Sequence, residues 1–255
     1  MRPAALVAHQ VRYEQKAYWR NPASAFFTFV FPLVFLVIFA SLNGGLTVLG
    51  GLAYNQFYVP AIIAFGVMSA TYTQLAITLS LHRQSGELKR LRSTPLPSWA
   101  LITGLIGNSV VVAVLITVLT SALGITVYGV VFPGHWLALL VALFVGAATF
   151  CGIGVLVSTL VHNADAAPAI VNAVFFPVVF LSGTFFPVPA GSVLARIADT
   201  LPVRHFNQAV FTAFDPRLPH GPARGFAWND IAVLALWGTA ASLLAVRRFR
   251  WEPRR

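Results

Sequence analysis

The run LITGLIGNSVVVAVLITVLTSALGITVYGVV, residues 101–131, contains no Asp, Glu, Lys or Arg. A bilayer's hydrocarbon core is about 30 Å thick, and a helix crosses it with about 20 apolar residues. In lipid every backbone N–H and C=O must be satisfied inside the segment, which a helix achieves by itself. This stretch is therefore read as a membrane-spanning helix, with residues to spare for tilt or for extension past the lipid.

Five further apolar runs lie to either side, at 24–42, 57–81, 136–161, 166–187 and 229–246, the last with Asp230 at its start. Apolar residues make up 58% of the chain and charged ones only 9%. A soluble domain carries roughly 25% charged residues, so this chain cannot clothe a water-facing surface. The expected fold class is an all-α membrane protein with six transmembrane helices. The first run is too long for a signal-peptide core and lacks a clear small-residue cleavage site, so it is read as a retained span. Cys151 is the only cysteine and lies inside an apolar run, where it reads as packing.

The net charge of +10 raises the possibility of nucleic acid. However, the cations sit in short clusters beside apolar runs, which fits loops at an anionic cytoplasmic leaflet, and no nucleic-acid partner is expected. Arg2, Arg12, Lys16 and Arg20 precede the first run. Arg83, Lys89, Arg90 and Arg92 lie between the second and third, and Arg247, Arg248, Arg250, Arg254 and Arg255 close the chain. With six spans these regions share one side and hold 13 of the 17 Lys and Arg. Both termini are accordingly expected in the cytoplasm. Arg196, Arg204, Arg217 and Arg224 fall on the outer side, against the trend. Residues 1–22 form a first unit: Arg12, Lys16 and Arg20 make one stripe of a helix, with Val7, Val11 and Tyr18 on the opposite face. That is the pattern of an amphipathic helix in the cytoplasmic membrane interface. Residues 23–255 form the six-span domain.

No motor is evident. The two lysines, Lys16 and Lys89, are preceded by Gln15 and Leu88, so neither sits in the G-x-x-x-x-G-K-[ST] loop that cradles phosphates. Asp165 and Asp230 lie at span ends and no ionisable acid or base occupies a span centre, which argues against proton coupling. His162 and His205 lack a Cys or acidic cluster at metal-ligand spacing and read as solvated loop residues. Ser182-Gly183 follows Phe180-Leu181 rather than the glycine of a serine-protease motif. The chain is expected not to be an enzyme. Neutral polar groups do occur within the spans: Thr71, Thr73, Gln74 and Thr78 in the second, Asn108 in the third and Asn172 in the fifth. Singly, each reads as an interhelical hydrogen bond worth about 0.6 kcal/mol. Grouped with Phe65, Tyr72, Phe175 and Phe176, those on spans two and five read as the wall of a cavity for a bulky, weakly polar solute.

Two segments carry a family likeness: SGELKRLRSTPLPSWALITG from Ser85, and FLSGTFFPVPAGSVLARIADTLPVRHFNQAV from Phe180. With YWRNPASAFFTFVFPLVF ahead of and through the first span, they follow in an order that resembles the type 2 ABC exporter permeases, especially the daunorubicin-resistance-like drug exporters. The chain departs from that pattern at Gln84, where a Glu is common, and at Glu87, where a small residue is common. The resemblance implies a cytoplasmic coupling helix over about 85–94. There Glu87, Leu88, Arg90, Leu91, Thr94 and Pro95 would meet a separate nucleotide-binding subunit. It implies external re-entrant helices within about 188–214. It also implies that spans two and five face the central cavity of a dimer, and with their polar and aromatic mixture this makes Thr71, Gln74, Asn172 and Phe176 the expected lining of the substrate path.

The resulting expectation is a permease subunit in a bacterial plasma membrane that exports drug-like amphiphiles. Its partners would be two copies of an ABC ATPase, a second permease and the lipid bilayer. ATP and Mg would reside on the ATPase, with no cofactor in this chain. A lipid or polysaccharide exporter remains the alternative, with an ATPase-independent carrier or intramembrane enzyme as the rival from another class.

Overall fold

The computed structural model of the chain describes residues 3–48, 51–86, 98–161, 163, 165–185, 191–218 and 225–248. Apart from a short hairpin, β1 (Thr47–Val48) with β2 (Leu52–Ala53), the regular elements are helices. They are α1 (Pro3–Trp19), α2 (Pro22–Asn43), α3 (Tyr54–Gln84), α4 (Ser98–Tyr128) and α5 (Trp136–Ser158). There follow α6 (Ala167–Leu181), α7 (Val193–Ala198), α8 (Pro202–Phe214) and α9 (Trp228–Arg248).

Five of these, α2, α3, α4, α5 and α9, are long and apolar enough to cross a membrane. The remaining expected span is shorter than its apolar run. Helix α6 has 15 residues, about 22 Å at 1.5 Å per residue. It stops because Ser182 turns its hydroxyl back on the Val179 carbonyl (2.7 Å) and Gly183 follows with φ of 81°. A left-handed glycine after the last turn is a helix terminator. The start of α2 is equally local: Asn21 accepts a hydrogen bond from the Ser24 amide at 3.3 Å, and Pro22 stands at the first helical position. Two spans carry π-helical turns, Phe26–Val30 in α2 and Ser69–Thr73 in α3.

Helix α1 packs along α4, and glycines on α4 admit it. A β-carbon on Gly104 would lie 2.2 Å from Gln10 Cγ, and one on Gly107 2.6 Å from Val11 Cγ2. Tyr18 is buried and Val7 and Val11 are half-buried, so the apolar face of α1 meets the bundle while Arg12, Lys16 and Arg20 stay exposed.

Helix α3 is the most enclosed span, with Tyr58, Ile62, Ile63 and Met68 fully buried. Around it Phe65, Tyr72, Phe175 and Phe185 form a continuous aromatic cluster with ring centroids 5.5–5.7 Å apart. Helix α8 is amphipathic and buries Val203, Phe206, Val210 and Phe214 against α3, α5 and α9. Phe206 reaches Gly146, ten residues into α5, whereas Phe214 lies beside Gln56 near the start of α3. The segment after α6 therefore tucks back against the spans; of the expected external segment 188–214, residues 188–190 lie outside the described residues. Exposed Trp19 and Trp99 at one end of the bundle, with Trp136 and Trp228 at the other, resemble the aromatic belts of the two lipid–water interfaces.

Candidate functional site

The residues expected to couple to an ATPase, Glu87, Leu88, Arg90, Leu91, Thr94 and Pro95, lie outside the described residues. What the structure gives is their two anchors. On the near side, α3 ends at Gln84, Ser85 donates to the His82 carbonyl at 3.1 Å, and Gly86 takes a φ of 71° that turns the chain away. One residue before Gln84, the Arg83 guanidinium donates to the Val161 carbonyl, which lies just past the end of α5. On the far side, the first turns of α4 are clamped by α1. Gln15 Nε2 donates to Asn108 Oδ1 at 2.8 Å, and beside it Gln10 Nε2 donates to the carboxylate of buried Glu14 at 2.9 Å.

The four expected path residues divide by exposure. Thr71 is fully buried within the π-helical turn of α3, and its hydroxyl donates to the Val67 carbonyl at 2.7 Å. Gln74 is half-buried and donates to Thr78 Oγ1 at 3.2 Å. Asn172 and Phe176 are half-buried, one turn apart on α6, at the margin of its buried stripe Val171, Phe175 and Val179. Helices α3 and α6 are neighbours, joined by the Tyr72 hydroxyl, which donates to the Val171 carbonyl at 3.3 Å. Gln74, Asn172 and Phe176 thus sit on the partly open sides of two adjoining helices, and Thr71 lies behind them.

At the opposite end of the bundle the structure reveals polar groupings that the sequence concealed. His205 is not a solvated loop residue: it stands on α8, with Nδ1 2.6 Å from Asp230 Oδ1 and Nε2 2.9 Å from the Asp199 carbonyl oxygen. Arg204 pairs with Asp199 at 2.7 Å. Asn207 donates to Thr184 Oγ1 at 2.6 Å and to Ser182 Oγ at 3.3 Å, fastening α8 to the end of α6. Past α8, hydrogen bonds from Arg217 hold the Asp215 carboxyl below the usual carboxylate range. These contacts account for two of the four arginines expected on the outer side, Arg204 and Arg217, each of which pairs with an Asp. Among the described residues no cluster of His, Cys, Asp and Glu has the makings of a metal site.

Comparison with known proteins gives a consistent family. Residues 7–214 match the ABC-2 type transporter family. Over 202 residues the chain is 26% identical to a probable multidrug ABC transporter permease, YbhR, of Escherichia coli K12, covering 77% of this chain and 54% of that relative. It is 29% identical over 225 residues to the daunorubicin resistance ABC transporter permease protein DrrB1 of Streptomyces coeruleorubidus, covering 84% and 73%. A putative transport permease of Bacillus subtilis, YvfS, is 23% identical over 234 residues, covering 91% and 92%. The chain spans about half the length of YbhR.

Proposed function

The chain belongs to the ABC-2 type transporter family, and from that premise we propose that it is the membrane permease of an ATP-driven exporter of drug-like amphiphiles. The observation that carries the substrate class is similarity along 84% of the chain to a permease named for daunorubicin resistance. Apolar pockets discriminate weakly, by about 1–3 kcal/mol per methylene, so such a path accepts varied amphiphiles.

In this reading the cytoplasmic segment from Ser85 to Pro95 receives the stroke of a separate ABC ATPase through Glu87, Leu88, Arg90, Leu91, Thr94 and Pro95. The supporting geometry is its position between the Arg83–Val161 contact and the α1–α4 clamp. The solute passes beside Gln74, Asn172 and Phe176, with Thr71 shaping the turn behind them. Phe176 supplies an apolar wall and the amides orient the solute. A second permease, identical or a sister, completes the path, two ATPases drive it, and both termini face the cytoplasm of a bacterial cell.

The test is reconstitution. The chain should be placed in proteoliposomes with its partner ABC ATPase, and movement of a fluorescent amphiphilic drug followed on adding ATP. Transport that needs both subunits and ATP is the expected result. Transport by the permease alone, or of lipid-linked glycan and not of drug, overturns it.

A further inference from the structure

A groove of about 440 Å³ runs along the outside of the bundle between α4, α5 and α9. Ile102 and Ile106 of α4, Cys151 and Val155 of α5, and Ala245 and Val246 of α9 line it. It arises from a mismatch in side-chain size. Helices α5 and α9 meet backbone to backbone through small residues, Gly152 and Gly238 among them, while α4 presents the larger Ile102 and Ile106 to the groove. A void of this size forfeits the dispersion contacts of all its walls, and within the bilayer the abundant filler is an acyl chain.

The groove also has a defined depth. Ile102 is one turn in from exposed Trp99, an interface residue by type and position. On α9 the lining residue Val246 is followed at once by Arg247 and Arg248, both exposed. An apolar trough whose α9 wall runs on into two exposed arginines, long enough to reach back towards it, is complementary to a phosphate head group with its chain below.

We infer that this groove is a binding site for an anionic phospholipid of the leaflet at the Arg247 end, with one acyl chain between Ile106 and Val155 and the phosphate at Arg247 and Arg248. The site lies apart from Thr71, Gln74, Asn172 and Phe176 and does not depend on what the protein transports. It makes lipid a fitted part of the seam between α4 and α9. Its occupancy would stiffen the α4 end that α1 clamps.

Native mass spectrometry of the full chain in mild detergent tests this, using phosphatidylglycerol and phosphatidylcholine with identical acyl chains. Wild type should retain one phosphatidylglycerol per chain, about tenfold more strongly than phosphatidylcholine. The double substitution Arg247→Gln/Arg248→Gln should remove that preference. Ala148→Trp and Val246→Trp, made separately at exposed positions on the rim, should each expel the lipid. Equal retention of the two lipids by wild type overturns the head-group assignment. Undiminished phosphatidylglycerol in whichever tryptophan variant folds overturns the groove.

Discussion

Thr149 Oγ1 donates to the Leu234 carbonyl at 2.9 Å, across the seam where α5 and α9 run parallel. One turn further along, a β-carbon on Gly152 would lie 2.6 Å from Ser242 Oγ and 3.2 Å from the Gly238 carbonyl oxygen. Without a hydrophobic drive between helices in lipid, close backbone approach of this kind is what holds two spans together. Gly152→Leu should therefore destabilise the fold by about 1–3 kcal/mol, the usual cost of overpacking. Thr149→Val should cost about 0.6 kcal/mol. Thermal unfolding in detergent checks the order, and a Thr149→Val effect exceeding that of Gly152→Leu would refute it.

Gln56 fastens three separate pieces of chain. Its Oε1 accepts from the Val131 amide at 2.9 Å, and its Nε2 donates to the Phe214 carbonyl at 2.8 Å. Gln56→Leu keeps the bulk but strands both backbone groups, each at a cost of about 1–3 kcal/mol if it stays dry. Hydrogen exchange at the Val131 amide should quicken markedly, while exchange in the middle of α4 stays slow. Unchanged exchange at Val131 would show that the bond contributes nothing.

The coupling proposal is tested at Leu88. A charge there should spoil an apolar contact with an ATPase while leaving the membrane fold intact. Leu88→Asp should lose ATPase co-purification and drug transport together, with normal expression. Full transport by this variant would remove Leu88 from the contact.

Orientation follows from labelling with a membrane-impermeant thiol reagent in a Cys151→Ala background. Gly45→Cys, at a site with open space around it, and Gly134→Cys, at an exposed site, should react in intact cells. Ser85→Cys and Arg248→Cys should react only after permeabilisation. Labelling of Ser85→Cys in intact cells would overturn both the topology and the coupling proposal.

Much of this architecture was legible in the sequence, because a span advertises itself by an uninterrupted lack of charge. The start of α2 rests on a local capping signal, Asn21-Pro22, that the span reading from residue 24 did not use. What stayed hidden was set by partners far along the chain. His205 meets Asp230, and Gln56 meets Val131 and Phe214, with nothing nearby in sequence to announce either contact. The π-helical turn at Ser69–Thr73 has no compositional mark, and α6 ends early at a Ser-Gly pair embedded in an apolar run. For the expected path residues, the sequence placed them on α3 and α6 but could not rank their burial, which depends on how α3 and α6 rotate against each other.

That ranking gives the sharpest test of the path. Phe175 and Phe176 are adjacent, their rings 5.8 Å apart, yet only Phe175 points into the core, stacking on Phe65 at 5.7 Å and Tyr72 at 5.5 Å. Truncating Phe175 removes that stack, so Phe175→Ala should cost about 3–5 kcal/mol and lower expression whatever is transported. Phe176 is half-buried at the edge, so Phe176→Ala should leave folding and ATPase activity near normal. It should instead shift which amphiphiles are exported, and Asn172→Leu, one turn away, should shift the same profile towards less polar solutes. Measuring resistance or vesicle transport across a panel of drugs separates the two outcomes. If the combined Gln74, Asn172 and Phe176 variant exports the same panel in the same order as wild type, the path runs elsewhere in the fold.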